Sequence, residues 1–147
     1  MDCAEARRSH IQFSTDKLTE GKLQTHLVPC AIKSNGVAPI SQYFRPEATD
    51  QVIDGKTVLH AALRGRELNG ARLGVPDGYN GYVMRSSQPA SSETTWTAES
   101  QFEELTYWLH DVVPTASDLL PRALEWAELA KEAHAPISAA DVEAMME

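Results

Sequence analysis

Only two cysteines, Cys3 and Cys30, occur in 147 residues, and they form no C-x-x-C arrangement. A disulfide framework and a zinc ribbon both need thiols paired at short spacing, so neither is indicated, and a reducing compartment fits best. The five histidines, His10, His26, His60, His110 and His134, show no H-x3-H spacing of the kind zinc ligands use. Long apolar runs are missing as well. No stretch approaches the roughly eighteen residues of a membrane helix, and the opening MDCAEARRSH has no apolar signal core. The expectation is a cytosolic or nuclear protein. Basic residues are scarce after residue 75: three Lys and Arg stand there against thirteen Asp and Glu, whereas the first 75 residues hold ten against eight. An acidic second half is a poor surface for phosphate backbones, so any nucleic-acid contact falls to Arg64, Arg66 and Arg72. The simpler reading makes these arginines solvated strand residues or ion pairs between subunits.

What remains is the composition of one globular domain, 42% apolar and 23% charged. Three Trp, four Tyr and three Phe are a modest supply for an isolated barrel core and leave room for a partner chain to supply the rest. The strongest local signal lies over residues 57–84. Residues 57–64 set Leu59, Ala61 and Leu63 against Val58, His60 and Ala62, the alternation of a strand covered on both faces. Asn69-Gly70 offers the φ > 0 pair of a two-residue hairpin between runs 66–68 and 71–75. Pro76-Asp77-Gly78 makes a second turn into a strand over 79–84. The pattern is a β-meander.

Outside it, residues 1–22 are polar and expected to be flexible, with a short strand near 11–13. Residues 23–33 form the first clear strand, an edge or a bulge because Pro29 cannot donate to a ladder. Ser34-Asn35-Gly36 turns, residues 37–44 are extended, and 47–56 form a polar connector. Residues 86–97, rich in Ser and Thr, read as a mobile loop from which Trp96 returns to the body. Residues 100–111 satisfy both templates, a helix with a Ser100/Glu103 capping box or a strand alternating Leu105, Tyr107 and Leu109. Periodicity leaves that choice open. A helix follows over 119–134, tolerating Pro121 in its first turn and stopped by Pro136, and a short terminal turn reaches residue 145.

Six pieces in order resemble the non-catalytic C subunit of eukaryotic type 2 ribonuclease H: HLVPC at 26–30, APISQYFRP at 38–46, LRGREL at 63–68, GVPDGYNGYVM at 74–84, QFEELTYWLHDVVP at 101–114 and ALEWAELA at 123–130. The resemblance covers most of the chain from residue 23. It implies a mainly β fold with a C-terminal helix, half of an interwoven triple-barrel heterodimer shared with a B-like subunit. It tips residues 102–111 towards strand and moves the start of the last helix towards Trp126. By the same resemblance the chain is a nuclear, non-catalytic scaffold, pairing with B to hold the catalytic A subunit. That assembly cleaves RNA in RNA–DNA hybrids and incises DNA at embedded ribonucleotides, with Mg on the A subunit and no cofactor on this chain. Two departures stand out. The Ser-rich stretch replaces an acidic insert that some members carry, and Asn69 replaces a basic residue found in others.

On that reading the carriers of the interface with B are Leu27, Ile32, Phe44, Leu59, Leu63, Val75, Tyr82 and Met84, with Pro114 and Trp126 nearer the A subunit. The residues themselves offer no autonomous nuclease. Metal-assisted phosphate hydrolysis needs converging carboxylates, whereas Glu125, Glu128 and Glu132 form a single helical stripe that reads as a solvated face. His26 and Cys30 would lie roughly 13 Å apart along a strand, too far for a thiolate pair, which makes Cys30 a buried structural residue. The glycines at 65, 70, 74, 78 and 81 lack the strand-to-helix context of a phosphate loop and read as turns and bends. Trp108 and Trp126, among acidic neighbours, read as core residues or as contacts between chains rather than base-stacking platforms. The alternative function is a self-contained nucleic-acid-binding barrel using Arg64, Arg66 and Arg72.

Overall fold

The alternating stretch in the middle of the sequence becomes the middle of a sheet. A computed structural model describes residues 9–13, 24–34, 36–87 and 94–136. Within them the elements follow in the order β1 (Ser9–Gln12), β2 (Thr25–Leu27), α1 (Ile40–Tyr43), β3 (Glu47–Ile53), β4 (Lys56–Leu63), β5 (Arg66–Gly74), β6 (Gly81–Ser87), β7 (Thr94–Phe102), β8 (Glu104–His110) and α2 (Leu119–Ala133). Five strands make one sheet in the order β2-β8-β5-β4-β3, and three make another, β1-β7-β6. The chain is mainly β with a C-terminal helix. Its own described strands leave both sheets open and close no barrel, which removes the basis for a self-contained barrel. The sheets meet where Val75 N donates to Glu103 O at 2.8 Å.

The meander reverses earlier than the Asn69-Gly70 pair suggests. Arg64 (φ 52°) and Gly65 (φ 77°) form the β4–β5 turn, just as Asp54 (φ 51°) and Gly55 (φ 75°) form the β3–β4 turn. Two successive left-handed residues are what a tight hairpin requires. Asn69 and Gly70 lie inside β5, opposite His60 and Leu59 on one side and Leu109 and Trp108 on the other. The cause is steric: a Cβ on Gly70 would sit 2.6 Å from Trp108 Cε3. This glycine makes room for an indole.

Other expectations shift for related reasons. The strand expected over 23–33 shrinks to β2, and the polar connector expected over 47–56 is edge strand β3. Its polarity suits a strand with one open side. A register shift between Ala48 and Val52 is bridged by Thr49 Oγ1, which donates to Val58 O at 2.8 Å. The loop expected over 86–97 gives way at both ends, to β6 as far as Ser87 and to β7 from Thr94, while 88–93 lie outside the described residues. Pairing of β7 with β1 and β6 explains how so polar a stretch holds as a strand. Residues 100–110 are strand on both sides of a break at Glu103, so the resemblance was right for 102–111 except at Asp111, which leaves the strand. Helix α2 begins at Leu119, where periodicity puts it, and not towards Trp126. The expected terminal turn and most of 1–22 lie outside the described residues.

Phe44, Leu59, Ala61, Leu68 and Trp108 form the core cluster, with Val28 and Leu63 packed against it. Trp108 is 1% exposed, and burying a large apolar side chain of this kind contributes roughly 2–3 kcal/mol. On the opposite face of the sheet a shallow depression is lined by Ile53, Val58, Ala71, Leu73, Pro114 and Pro121, where the start of α2 comes down. No residue of α2 is fully buried.

Candidate assembly surfaces

Apart from Ile11, Phe13 and Trp96 at the smaller sheet, exposed apolar side chains among the described residues collect mainly in two places. The first is the run from β2 to β3, where Leu27 (49% exposed), Ile32 (66%), Ile40 (60%), Tyr43 (76%) and Val52 (62%) face outward. Pro29 and the short α1 keep the stretch between β2 and β3 out of regular pairing, so Ile32, Ile40 and Tyr43 have no neighbouring strand. Phe44, at its end, turns inward and stacks edge-on against Trp108, with ring centroids 5.1 Å apart. Of the residues expected at the interface with B, Leu27 and Ile32 are therefore surface, Phe44 and Leu59 belong to the chain's own core, and Leu63, Val75, Tyr82 and Met84 are half-buried. Ile40, Tyr43 and Val52 escaped the sequence reading. For Ile40 and Tyr43 the signal was the apolar content of APISQYF, from which only Phe44 was singled out, whereas Val52 stands in a polar strand.

The second place is α2. Leu119, Trp126 (63% exposed) and Leu129 (55%) form an outward stripe beside the half-buried Leu120, Leu124 and Ala127, so apolar character covers more of this helix than the chain conceals. Glu125, Glu128 and Glu132 occupy another side and are all exposed. Pro114, expected near the A subunit together with Trp126, is buried. The helix is held by polar contacts that the sequence did not announce. Asp54 Oδ2 accepts from Ala116 N at 2.7 Å, Asp118 Oδ2 accepts from Thr115 N at 2.7 Å, and Tyr79 Oη donates to Ala127 O at 3.2 Å. Asp54 thus serves both the β3–β4 turn and the loop entering α2.

The remaining candidates separate. Arg64 and Arg66 are exposed at one end of the larger sheet, while Arg72 lies further along β5 with Glu104 at 3.9 Å. His26 does not approach a thiolate. Its Nδ1 accepts from Trp108 Nε1 at 3.2 Å, and burial holds its pKa below the ordinary 6.5. Cys30, expected to be buried, is exposed because the chain bends away after Pro29. On the smaller sheet Arg85 donates from both Nε and Nη2 to the Glu99 carboxylate, and these bonds hold that carboxyl below its usual range. Among the described residues no three His, Cys, Asp or Glu side chains gather as a metal site, and no helix is long and apolar enough to cross a membrane.

Residues 24–95 match the family described as "Ribonuclease H2 non-catalytic subunit (Ylr154p-like)". An uncharacterized protein of Schizosaccharomyces pombe is 33% identical over 118 residues, covering 72% of this chain and 79% of that protein. The C subunit of ribonuclease H2 from Bos taurus is 26% identical over 158 residues, covering 90% of this chain and 93% of the relative. Its Mus musculus counterpart is 29% identical over 138 residues, covering 76% and 81%. Each relative is thus matched over most of its own length. Open sheets, uncovered apolar surface and matched sequence agree, and the chain belongs to the family of ribonuclease H2 non-catalytic C subunits.

Proposed function

We propose that this chain is the architectural member of a heterotrimeric type 2 ribonuclease H, pairing with a B-like subunit so that the catalytic A subunit is held and oriented. On this reading the two open sheets are completed as shared barrels by strands of B. Leu27 and Ile32, together with the half-buried Leu63, Val75, Tyr82 and Met84, meet that partner, and Phe44 and Leu59 brace the sheet from beneath. The outward stripe of α2 around Trp126 meets the A subunit, with Pro114 fixing the loop that leads to it. RNA in RNA–DNA hybrids and ribonucleotides embedded in DNA are cut on the A subunit, where carboxylates hold the Mg. The site of action is the nucleus.

One observation carries this reading: among the described residues both sheets end in unpaired edges, and six large apolar side chains from Leu27 to Val52 stand in solvent. Apolar surface of that kind marks an interface, and obligate partners typically bury about 2,000 Å² or more. Co-expression with and without a B-like subunit tests it. The expected outcome is a soluble species with the mass of one copy of each chain, and a lower yield of soluble, self-associating protein when this chain is made alone. A monodisperse monomer, unchanged by the partner, would refute it.

A further inference from the structure

We propose that the end of the larger sheet carrying Arg45, Arg64 and Arg66 is a contact surface for the phosphodiester backbone of a nucleic-acid duplex. Three observations place these residues at one end of the sheet. Arg64 forms the β4–β5 turn, Arg66 is paired with Leu63 immediately beside it, and Arg45 precedes Glu47, whose partner His60 lies three residues short of Leu63 on β4. All three arginines are exposed. None has a carboxylate within 4.0 Å among the described residues, because two nearby acids are engaged elsewhere, Glu67 with His60 at 3.7 Å and Asp111 with His110 at 2.8 Å. Glu47 is a third acid at this end, so what marks these arginines is that they are exposed and unpaired, not a net charge. Arg72 is not part of it, lying further along β5 beside Glu104.

The turn itself supplies an independent argument. Arg64 holds φ 52° at the first central position of a hairpin, a conformation that Asn, Asp and Gly adopt readily and other residues only at a cost of about 1 kcal/mol. The same sheet shows the favoured solution at its other turn, Asp54-Gly55. An arginine kept where its backbone is disfavoured is explained by its side chain, and a guanidinium at a tip with no internal partner suits a phosphate oxygen. Such contacts position a duplex without reading its sequence. The inference rests on the assembly described above only in that a hybrid duplex is its substrate.

Fluorescence anisotropy with a labelled RNA–DNA hybrid and with a DNA duplex of equal length, over a salt series, tests the proposal. Size-exclusion mass is measured first, so a failure to assemble is seen separately; the titrations are then run on whatever species forms, including the full chain alone. Each arginine removed should flatten the plot of log affinity against log salt by about 0.7–0.9. Arg64→Asn with Arg66→Gln should therefore flatten it by nearly twice that, for hybrid and DNA alike, while Arg72→Gln leaves it unchanged. Arg64→Asn should also melt at the same or a higher temperature than wild type, so weaker binding cannot be laid to a lost fold. Unchanged slopes in the double variant would overturn the proposal. So would loss of a partner chain on removing these arginines, which would make the rim a protein contact.

Discussion

Gly70 and Gly74 lie four residues apart in β5 and meet opposite surroundings. A Cβ at Gly70 would strike three indole carbons of Trp108 at 2.6–2.8 Å, and nothing lies within 4 Å of one at Gly74. Trp108 is enclosed by the core and donates to His26, so the ring has little room to retreat. Gly70→Ala should accordingly lose about 1–3 kcal/mol of stability through overpacking, whereas Gly74→Ala should stay within about 0.5 kcal/mol of wild type. Urea unfolding of both variants beside wild type decides it, and equal midpoints would mean that the indole yields. This residue also shows where reading a sequence stops. Asn69-Gly70 has the composition of a turn, but spacing cannot distinguish a glycine that supplies a positive φ from one that clears space for a side chain 38 positions later.

At the scale of elements, β2 is the most lightly tied. It pairs three residues in parallel with β8, and His26 adds the bond from Trp108 and an edge-on contact with Phe44 at 5.3 Å. The bond needs a neutral imidazole, because Nδ1 must be free to accept. Burial lowers the folded pKa below 6.5, so between the folded and unfolded values the unfolded chain binds more protons. Stability from this histidine is then complete above the unfolded value and is lost as pH falls from there through the folded one. Melting temperature should drop more steeply in wild type than in His26→Gln as pH falls below the ordinary histidine value of ~6.5. Parallel curves for the two proteins would show that His26 is not the titrating group. Long elements were the legible ones: α2 shows helical spacing with Pro121 in its first turn, and β4 alternates cleanly. Strands β3, at an edge, and β7, held between β1 and β6, were not, because a strand with an open or polar face carries the composition of a loop, and a partner such as β1 lies far away in sequence.

Across the whole molecule, apolar character was legible in the sequence and the direction in which it faces was not. Leu27, Ile32 and Trp126 lie outward, yet Phe44 and Leu59, chosen for the same apolar character, turn inward, since one chain's periodicity does not say which face its own segments will cover. The consequence is a domain with one five-residue core cluster and a long uncovered flank from β2 to β3. Local stability follows buried contacts, so this flank should exchange its amide hydrogens far faster than β4, β5 and β8, which are paired on both sides. Strands from a partner would pair the free edge of β3 and cover Leu27, Ile32, Ile40, Tyr43 and Val52 together. Hydrogen exchange on the chain with and without a B-like subunit should then show residues 24–53 slowing by at least about tenfold, equivalent to ~1.4 kcal/mol of added local protection. The β4–β5 turn at Arg64-Gly65, which faces a duplex in the proposed arrangement, should keep its rate. Protection confined to α2, with the β2–β3 flank unchanged, would place the partner on the helix and show that the open sheet edge remains free in the assembly.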